Sequence, residues 1–350
     1  MKKILLKISS VLLALILLCV PLSISASAIT EPNIANLVVV ENIDGGLVKC
    51  GKIDATAMNK IRNNVHSISA REKIVEIFKA IDVDVTTDNP IVIDLSQKID
   101  TFDSMKSNTQ ILEISENGSE RIISKNEYHR IEQQEQRQDL ISLYSSDPDS
   151  NHSNKETSKN GYMELTLVTY FLRNQKGRYC AIGICKWLKA PLFRSVDAVS
   201  IGSDCVSWDQ KEDSYVGVSL YTETETIGNS INTREVTNNL GIRGVDIKNG
   251  FFYTWKLPKD TVVSGTNNSL TYKNLRIMIS GYANVRKYNI HEQWIDMKLR
   301  YSHIQGKIST DSTFSLLDVG SPDVFKISFS FSLAHKNYYC PLKWDYSTEF

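Results

Sequence analysis

The chain has 350 residues, 41% of them hydrophobic and 23% charged, and its 40 basic and 40 acidic side chains leave a formal net charge of zero. This balance offers no basic face of the kind that nucleic acids or anionic membranes bind, so nucleic acid is excluded as a partner and a membrane is not expected. A chain of this length can bury a sizeable core, so its stability does not require a disulfide.

The first 28 residues predict a secretory signal peptide. Three lysines precede an apolar run from Ile8 to Val20, and the small residues Ala26-Ser27-Ala28 follow. A basic region, an apolar region and an A-x-A cleavage site in this order predict cleavage after Ala28 and an extracellular mature chain. The unbroken apolar core is only about half of the ~20 residues that a membrane-spanning helix needs, so a retained anchor is the weaker alternative.

Residues 29–144 predict a small acidic α+β segment. Ser69 and Glu72 form a capping box ahead of an amphipathic helix, whose apolar face carries Ile74, Val75, Ile77, Phe78 and Ile81. Asn117-Gly118 predicts the turn of a β-hairpin. Ser124 and Glu127 then form a second capping box, ahead of a helix that is almost wholly polar.

A polar linker, residues 145–161, separates this segment from a predicted antiparallel β domain at 162–350. The linker holds no large apolar residue, whereas 27 of the 31 aromatic residues follow residue 160. Beyond it the apolar period becomes two: "YMELTLVTYFL" and "RYCAIGICKWL" flank "RNQKG" as a hairpin, and "FKISFSFSLAH" alternates cleanly. The fold class is therefore mainly β, an antiparallel sandwich or barrel.

Five cysteines remain after cleavage, and their odd number means that at least one is free or pairs between chains. They are Cys50, Cys180, Cys185, Cys205 and Cys340. Cys180 and Cys185 lie five apart on one predicted strand, so they point to opposite faces and cannot form a disulfide with each other. Other pairings stay open.

The order of these parts resembles a group of uncharacterised secreted proteins of low-GC Gram-positive bacteria. The resemblance covers most of the mature chain and rests on a W-L-x-x-P-x-F-R-x-x-D run, which is here Trp187, Leu188, Pro191, Phe193, Arg194 and Asp197. It implies export and this architecture. It implies no activity and no catalytic residue.

The same run predicts a turn between two strands. Trp187 ends one strand and Val196 begins the next, and Arg194 and Asp197 are expected to form a local ion pair or to cap the turn. The alternative is a binding surface, in which a rigid turn presents an aromatic floor and a charged pair formed by Trp187, Phe193, Arg194 and Asp197.

No motif predicts a metal, a cofactor or a catalytic residue. "HEQWI" lacks the second histidine of a zinc-protease helix, since Ile295 stands at that position. "DVDVTTD" lacks the glycine and the glutamate of a calcium loop. Cys185 in "GICKW" lies in mid-strand, where a buried structural cysteine is the common finding.

The leading hypothesis is therefore a secreted non-catalytic protein that binds an envelope glycan or another secreted protein, or that assembles with itself. An extracellular glycan hydrolase is the first alternative, and it requires a concave site with at least two of five carboxylates: Glu223, Glu225, Asp197, Asp204 and Glu292. A membrane-perturbing β protein is the second, because "FKISFSFSLAH" has the alternation of a spanning strand.

Overall fold

The computed structural model describes residues 37–40, 47–52, 69–115, 119–144, 161–172, 177–189, 194, 196–203, 205–286, 294–304, 314–317, 326–329 and 335–345. Within these residues the protein is mainly β, with two antiparallel sheets in a sandwich-like arrangement and a small helical segment before the long strands. The predicted fold class is confirmed. No helix among the described residues is both long and apolar enough to cross a membrane.

Helix α1 (Ala70–Ala80) is followed by the short helix α2 (Pro90–Ser96). The predicted capping box of α1 is confirmed, since the Glu72 backbone N donates to Ser69 Oγ at 3.2 Å and the Ser69 backbone N donates to Glu72 Oε2 at 2.7 Å. The predicted polar helix is α3 (Lys125–Tyr144), and the Glu127 backbone N donates to Ser124 Oγ at its start.

The first sheet has eleven strands. Its main path runs, from edge to edge, through β1 (Leu37–Val40), β2 (Leu47–Lys52), β3 (Phe102–Ile114), β5 (Gly161–Leu172), β6 (Arg178–Lys189), β14 (Ser269–Val285), β9 (Tyr215–Ile227) and β10 (Ser230–Asn239). Beside this path, β4 (Glu120–Ile123) pairs with β3, and β8 (Val206–Trp208) and β13 (Thr261–Val262) pair with β14.

The predicted hairpins of this sheet are present. β3 pairs with β4 around the predicted Asn117-Gly118 turn, and β5 pairs with β6, although both turns lie outside the described residues. β3 and β5 also pair along their length. The segments before and after the predicted linker therefore contribute neighbouring strands to one sheet. Most of that linker, residues 145–160, lies outside the described residues.

The second sheet has five strands, in the order β11 (Ile242–Asp246), β12 (Gly250–Lys256), β7 (Val196–Gly202), β15 (Trp294–Ile304) and β18 (His335–Asp345). Two further strands, β16 (Phe314–Leu317) and β17 (Lys326–Phe329), pair with each other. β17 and His335, the first residue of β18, are the described parts of "FKISFSFSLAH". β18 contacts β3 and β5, so the two sheets approach each other along this edge.

Two cores cover the two faces of the first sheet. One lies between the sheets and contains most of the buried aromatic rings, and the other lies between the first sheet and helices α1 and α2. As expected, Cys185 faces the first core and Cys180 the second. Both are free buried thiols, as is Cys340, and burial raises the pKa of Cys180 to about 12. Cys205 is also buried.

Three glycines of the first sheet allow the second sheet to pack closely against it. A Cβ atom on Gly217 would lie 2.4 Å from Tyr253 Cε1, one on Gly183 would lie 2.5 Å from Leu299 Cδ1, and one on Gly281 would lie 2.6 Å from Phe251 Cε1. Real Cβ atoms do not approach other atoms this closely, so side chains of the second sheet occupy the space that these glycines leave open.

We expect Gly217→Ala to lower the free energy of unfolding by about 1–3 kcal/mol, because the added methyl group overpacks a core in which the Tyr253 ring is fully enclosed. Urea denaturation measures the change. Gly241→Ala is the matched control, since no atom lies within 4 Å of its added Cβ. An equal effect of the two substitutions would contradict the close approach of the sheets.

Candidate functional site

Two of the four residues that the sequence singled out, Trp187 and Asp197, belong to a buried polar network. Asp197 of β7 accepts a hydrogen bond from the Tyr301 hydroxyl of β15, and His303 Nδ1 lies 3.1 Å from both Asp197 carboxylate oxygens. Trp187 Nε1 of β6 donates to the Tyr301 hydroxyl oxygen at 2.8 Å. This network joins the two sheets across the core between them.

None of these side chains is accessible to a ligand. Asp197 has 0% of its surface exposed and Trp187 has 2%. Burial, together with the charge and hydrogen bond of Asp197, raises the pKa of the Tyr301 hydroxyl far above its ordinary value. Tyr301 therefore stays protonated and donates to the carboxylate, so the network balances a buried charge with hydrogen bonds.

Arg194 and Asp197 have separate partners instead of the expected local ion pair. Arg194 Nη1 donates to the Pro258 backbone oxygen at 3.1 Å and to Asp260 Oδ1 at 2.8 Å. The run does connect two strands, as predicted, but β6 and β7 belong to different sheets. Asp197 therefore turns into the core while Arg194 stays beside the β12–β13 connection. Phe193, the fourth predicted site residue, lies outside the described residues.

An open groove at one end of β14 is the better candidate for function. Its volume is about 610 Å³, and nine residues line it: Lys98, Arg178, Trp208, Asp209, Gln210, Lys211, Asp213, Ser214 and Tyr282. They come from four separate parts of the chain. Three of these side chains are basic and two are acidic, and Asp94, which pairs with Lys98, supplies a third carboxylate, so the groove is polar with balanced charges.

Asp209 holds the groove together. Arg178 donates to its two carboxylate oxygens at 2.8 and 2.6 Å, and the Ser214 hydroxyl donates to Oδ2 at 2.8 Å. The Tyr215 hydroxyl donates to the Asp209 backbone oxygen, and the Asp209 backbone N donates to the Tyr282 backbone oxygen at 3.1 Å. Burial tends to raise the pKa of Asp209, but the hydrogen bonds from Arg178 and Ser214 outweigh it and lower the pKa.

The wall of the groove is a tyrosine ring with two neighbouring cations. Lys98 Nζ lies 4.2 Å from the centre of the Tyr282 ring, and the Arg178 guanidinium carbon lies 5.5 Å from it. The Tyr282 hydroxyl donates to Asp94 Oδ2 at 2.7 Å, and Lys98 Nζ donates to Asp94 Oδ1 at 2.6 Å. Both cations are thus held in place by a carboxylate and by the ring face.

The rim of the groove is less constrained. Gln210, Lys211 and Asp213 are exposed there. Trp208 lies deeper and is almost fully buried, and its Nε1 has no hydrogen-bond partner among the described residues. The groove therefore combines a fixed interior with polar side chains at its mouth that are open to a ligand.

Of the five carboxylates of the hydrolase alternative, three are described, Glu223, Glu225 and Asp197, and none of these three lines the groove. Glu223 lies on β9 and binds Arg234 of β10 at 2.6 Å, whereas Asp197 is buried in the second sheet. Asp204 and Glu292 lie outside the described residues. No group of three His, Cys, Asp or Glu side chains in the described ranges is placed to hold a metal ion.

Comparison with known proteins adds little. No family model matches the chain, and no curated protein matches it. One solved structure, "Crystal structure of the RrgA Jo.In complex", shares 9% sequence identity with this chain, with a TM-score of 0.21. The match covers 38% of this chain and 69% of the chain in that structure. A likeness of this size carries no argument about fold or function.

We expect Tyr301→Phe to lower the free energy of unfolding by about 1–3 kcal/mol, because it leaves Trp187 Nε1 without its acceptor and removes a donor from the buried Asp197. Thermal and urea denaturation measure this. In the control Tyr170→Phe the lost hydroxyl is buried but has no hydrogen-bond partner among the described residues, so the stability should be unchanged. A cost as large as that of Tyr301→Phe would show that the network contributes nothing specific.

Asp209 predicts a pH dependence of stability. Its folded pKa lies below its ordinary value of 3.8, so the stabilisation by ionised Asp209 is present above that pH and is lost as the pH falls through the folded pKa. We expect the free energy of unfolding to fall more steeply below about pH 4 in the parent than in Asp209→Asn. Asp213→Asn, on the exposed rim, should keep the steep profile of the parent; parallel profiles for parent and Asp209→Asn would contradict the inference.

Proposed function

We propose that this chain is an exported binding protein without catalytic activity, and that its Asp209 groove holds an acidic saccharide of the cell envelope. The observation that carries the proposal is the groove itself, an open concave surface whose polar side chains are fixed by one another before any ligand arrives. Export and the glycan class of partner rest on the sequence, through the signal peptide and the lack of any other ligand motif.

The fixed interior favours binding. Both Asp209 oxygens accept hydrogen bonds from Arg178 or Ser214. Arg178 is therefore held in one orientation, and a ligand that binds its remaining N–H groups does not have to order the side chain. Lys98 is held by Asp94. Association costs less when side chains need not be ordered by the ligand.

The side chains indicate the ligand's chemistry. A planar Arg guanidinium beside an aromatic wall, with exposed polar side chains at the rim, suits the vicinal hydroxyl groups of a sugar ring. Lys211 at the rim adds a positive charge that suits a carboxylate. A saccharide with an acidic group matches both features, whereas a neutral sugar matches only the first.

The same arrangement argues against catalysis in the groove. A general acid needs a raised pKa, but the pKa of Asp209 is lowered and its oxygens are taken by hydrogen bonds. The other acid of the groove, Asp213, is exposed on the rim. The supported role is therefore recognition.

Titration calorimetry of the mature chain with oligogalacturonate and with the matching neutral galacto-oligosaccharide tests the proposal. We expect the acidic probe to bind and the neutral one to bind at least about tenfold more weakly, as expected for the loss of one charge-assisted hydrogen bond. Lys211→Ala should weaken the acidic probe by a similar factor.

Lys259→Ala is the matched control, because Lys259 is an exposed lysine outside the groove. It should leave the affinity unchanged. Equal affinity for the two probes, or equal losses in the two lysine variants, would refute acid recognition in this groove. Cleavage of either probe during the titration would refute the non-catalytic assignment.

A further inference from the structure

At the end of the first sheet that lies away from the groove, two chain turns form an uncharged apolar surface. We call it the sheet tip and define it as residues 226–232, "TIGNSIN", and 261–269, "TVVSGTNNS". Neither segment contains a charged residue, although 23% of the chain is charged. The nearest charged residues in sequence are Glu225 and Asp260.

Four aliphatic side chains project from the sheet tip. Ile231 is 72% exposed, Val262 71%, Ile227 58% and Val263 52%. Among the described residues these are the four most exposed large hydrophobic side chains. Exposure of clustered aliphatic side chains to water is unfavourable, so their presence at one end of the sheet indicates a site that contacts an apolar partner.

The strand register places these side chains on both faces of the sheet. Ile231 pairs with Thr226, Thr226 with Ser269, and Ser269 with Val262, so Ile231 and Val262 point to the same face. Ile227 follows Thr226 on β9 and points to the opposite face. The sheet tip is thus a wedge with apolar side chains on both sides.

Hydrogen bonds join the two turns into one unit. The Gly228 backbone N donates to Asn268 Oδ1 at 3.0 Å, and the Val263 backbone N donates to the Asn268 backbone oxygen at 3.0 Å. Gly228 and Gly265 have φ values of +60° and +79°, which glycine adopts without strain. The aliphatic side chains are therefore presented together.

We propose that the sheet tip inserts into the interfacial layer of a lipid bilayer. A wedge with apolar side chains on both faces is surrounded completely by a fluid apolar layer, whereas a flat protein partner covers only one face. A second copy fits poorly, because two convex tips of four aliphatic side chains bury far less than the ~1,200 Å² of a stable interface.

The lack of charge sets the kind of membrane. With no charged group to dehydrate, the sheet tip enters the interface without the cost that charged side chains carry there. With no basic residue, it gains nothing from anionic lipid, so binding is to neutral bilayers and is independent of salt. The Asn, Ser and Thr side chains between the aliphatic ones suit the polar depth of the headgroups.

The groove stays in water in this arrangement. Ser269 at the sheet tip and Tyr282 at the groove lie on the same strand, roughly 40 Å apart at ~3.3 Å per residue. Attachment through one end of β14 therefore leaves the other end accessible. The inference does not depend on the ligand of the groove.

Flotation of the mature chain with phosphatidylcholine vesicles tests the proposal. We expect the parent to float with the vesicles, to the same extent at low and high salt, and the double variant Ile231→Asp/Val262→Asp to lose at least tenfold in the lipid partition coefficient. Ile122→Asp is the matched control, because Ile122 is an exposed isoleucine outside the sheet tip. It should float like the parent.

Three results would overturn the inference: no flotation of the parent, equal losses in the tip and control variants, or flotation that disappears at high salt. Sedimentation velocity of the parent and the tip variants tests self-association. A parent dimer that the tip substitutions dissociate would assign the surface to a second copy instead. Melting temperatures near that of the parent establish that the variants are folded. Where the double variant does not fold, Ile231→Ser alone serves, with a smaller loss in the same direction.

Discussion

The structure depends on how closely the two sheets approach each other. Gly183, Gly217 and Gly281 leave space on the first sheet that a leucine and two aromatic rings of the second sheet fill. Because of this contact, β15 lies near β6, and Tyr301 of the second sheet reaches Trp187 of the first. Tyr301, His303 and Asp197 all belong to the second sheet, so a wider gap between the sheets would break only the hydrogen bond from Trp187 that links this network to the first sheet.

β14 connects the packed interior to both candidate surfaces. Its seventeen residues pair with four strands, β6, β8, β9 and β13, and extend past the region that the second sheet and the helices cover. One end supplies Tyr282 to the groove, and the other supplies Ser269 to the sheet tip. Two surfaces of different chemistry, one polar and concave and one apolar and convex, are therefore held at a fixed distance by a single strand. A rigid spacer of this kind permits one end to attach while the other binds.

Local patterns were sufficient to predict the elements but not the sites. The capping box at Ser69 and the hairpins around 117–118 and 173–177 depend on residues close in sequence, and the structure has them where the pattern indicates. The prediction of an Arg194–Asp197 ion pair was wrong. The chain passes from the first sheet to the second between β6 and β7, and the sequence alone does not show this change of sheet. The groove was also missed, because its residues are far apart in the sequence and form no motif: Lys98, Arg178, Asp209 and Tyr282. Only the cluster of polar residues after Trp208 indicated a polar surface in this part of the chain. The sheet tip is visible in sequence as two uncharged stretches, but whether they are exposed depends on strand pairing.

The strand pairings also determine when the protein can fold. Cys185 lies opposite Ile277, and Val199 lies opposite Tyr301, so the centre of each sheet joins residues about a hundred positions apart. Such contacts cannot form until most of the chain is available, and loop closure over these distances makes folding slow. A chain that remains unfolded for longer is also one that a secretion channel can pass, because threading requires an extended polypeptide. The topology therefore delays folding to a stage that suits the export predicted from its first 28 residues.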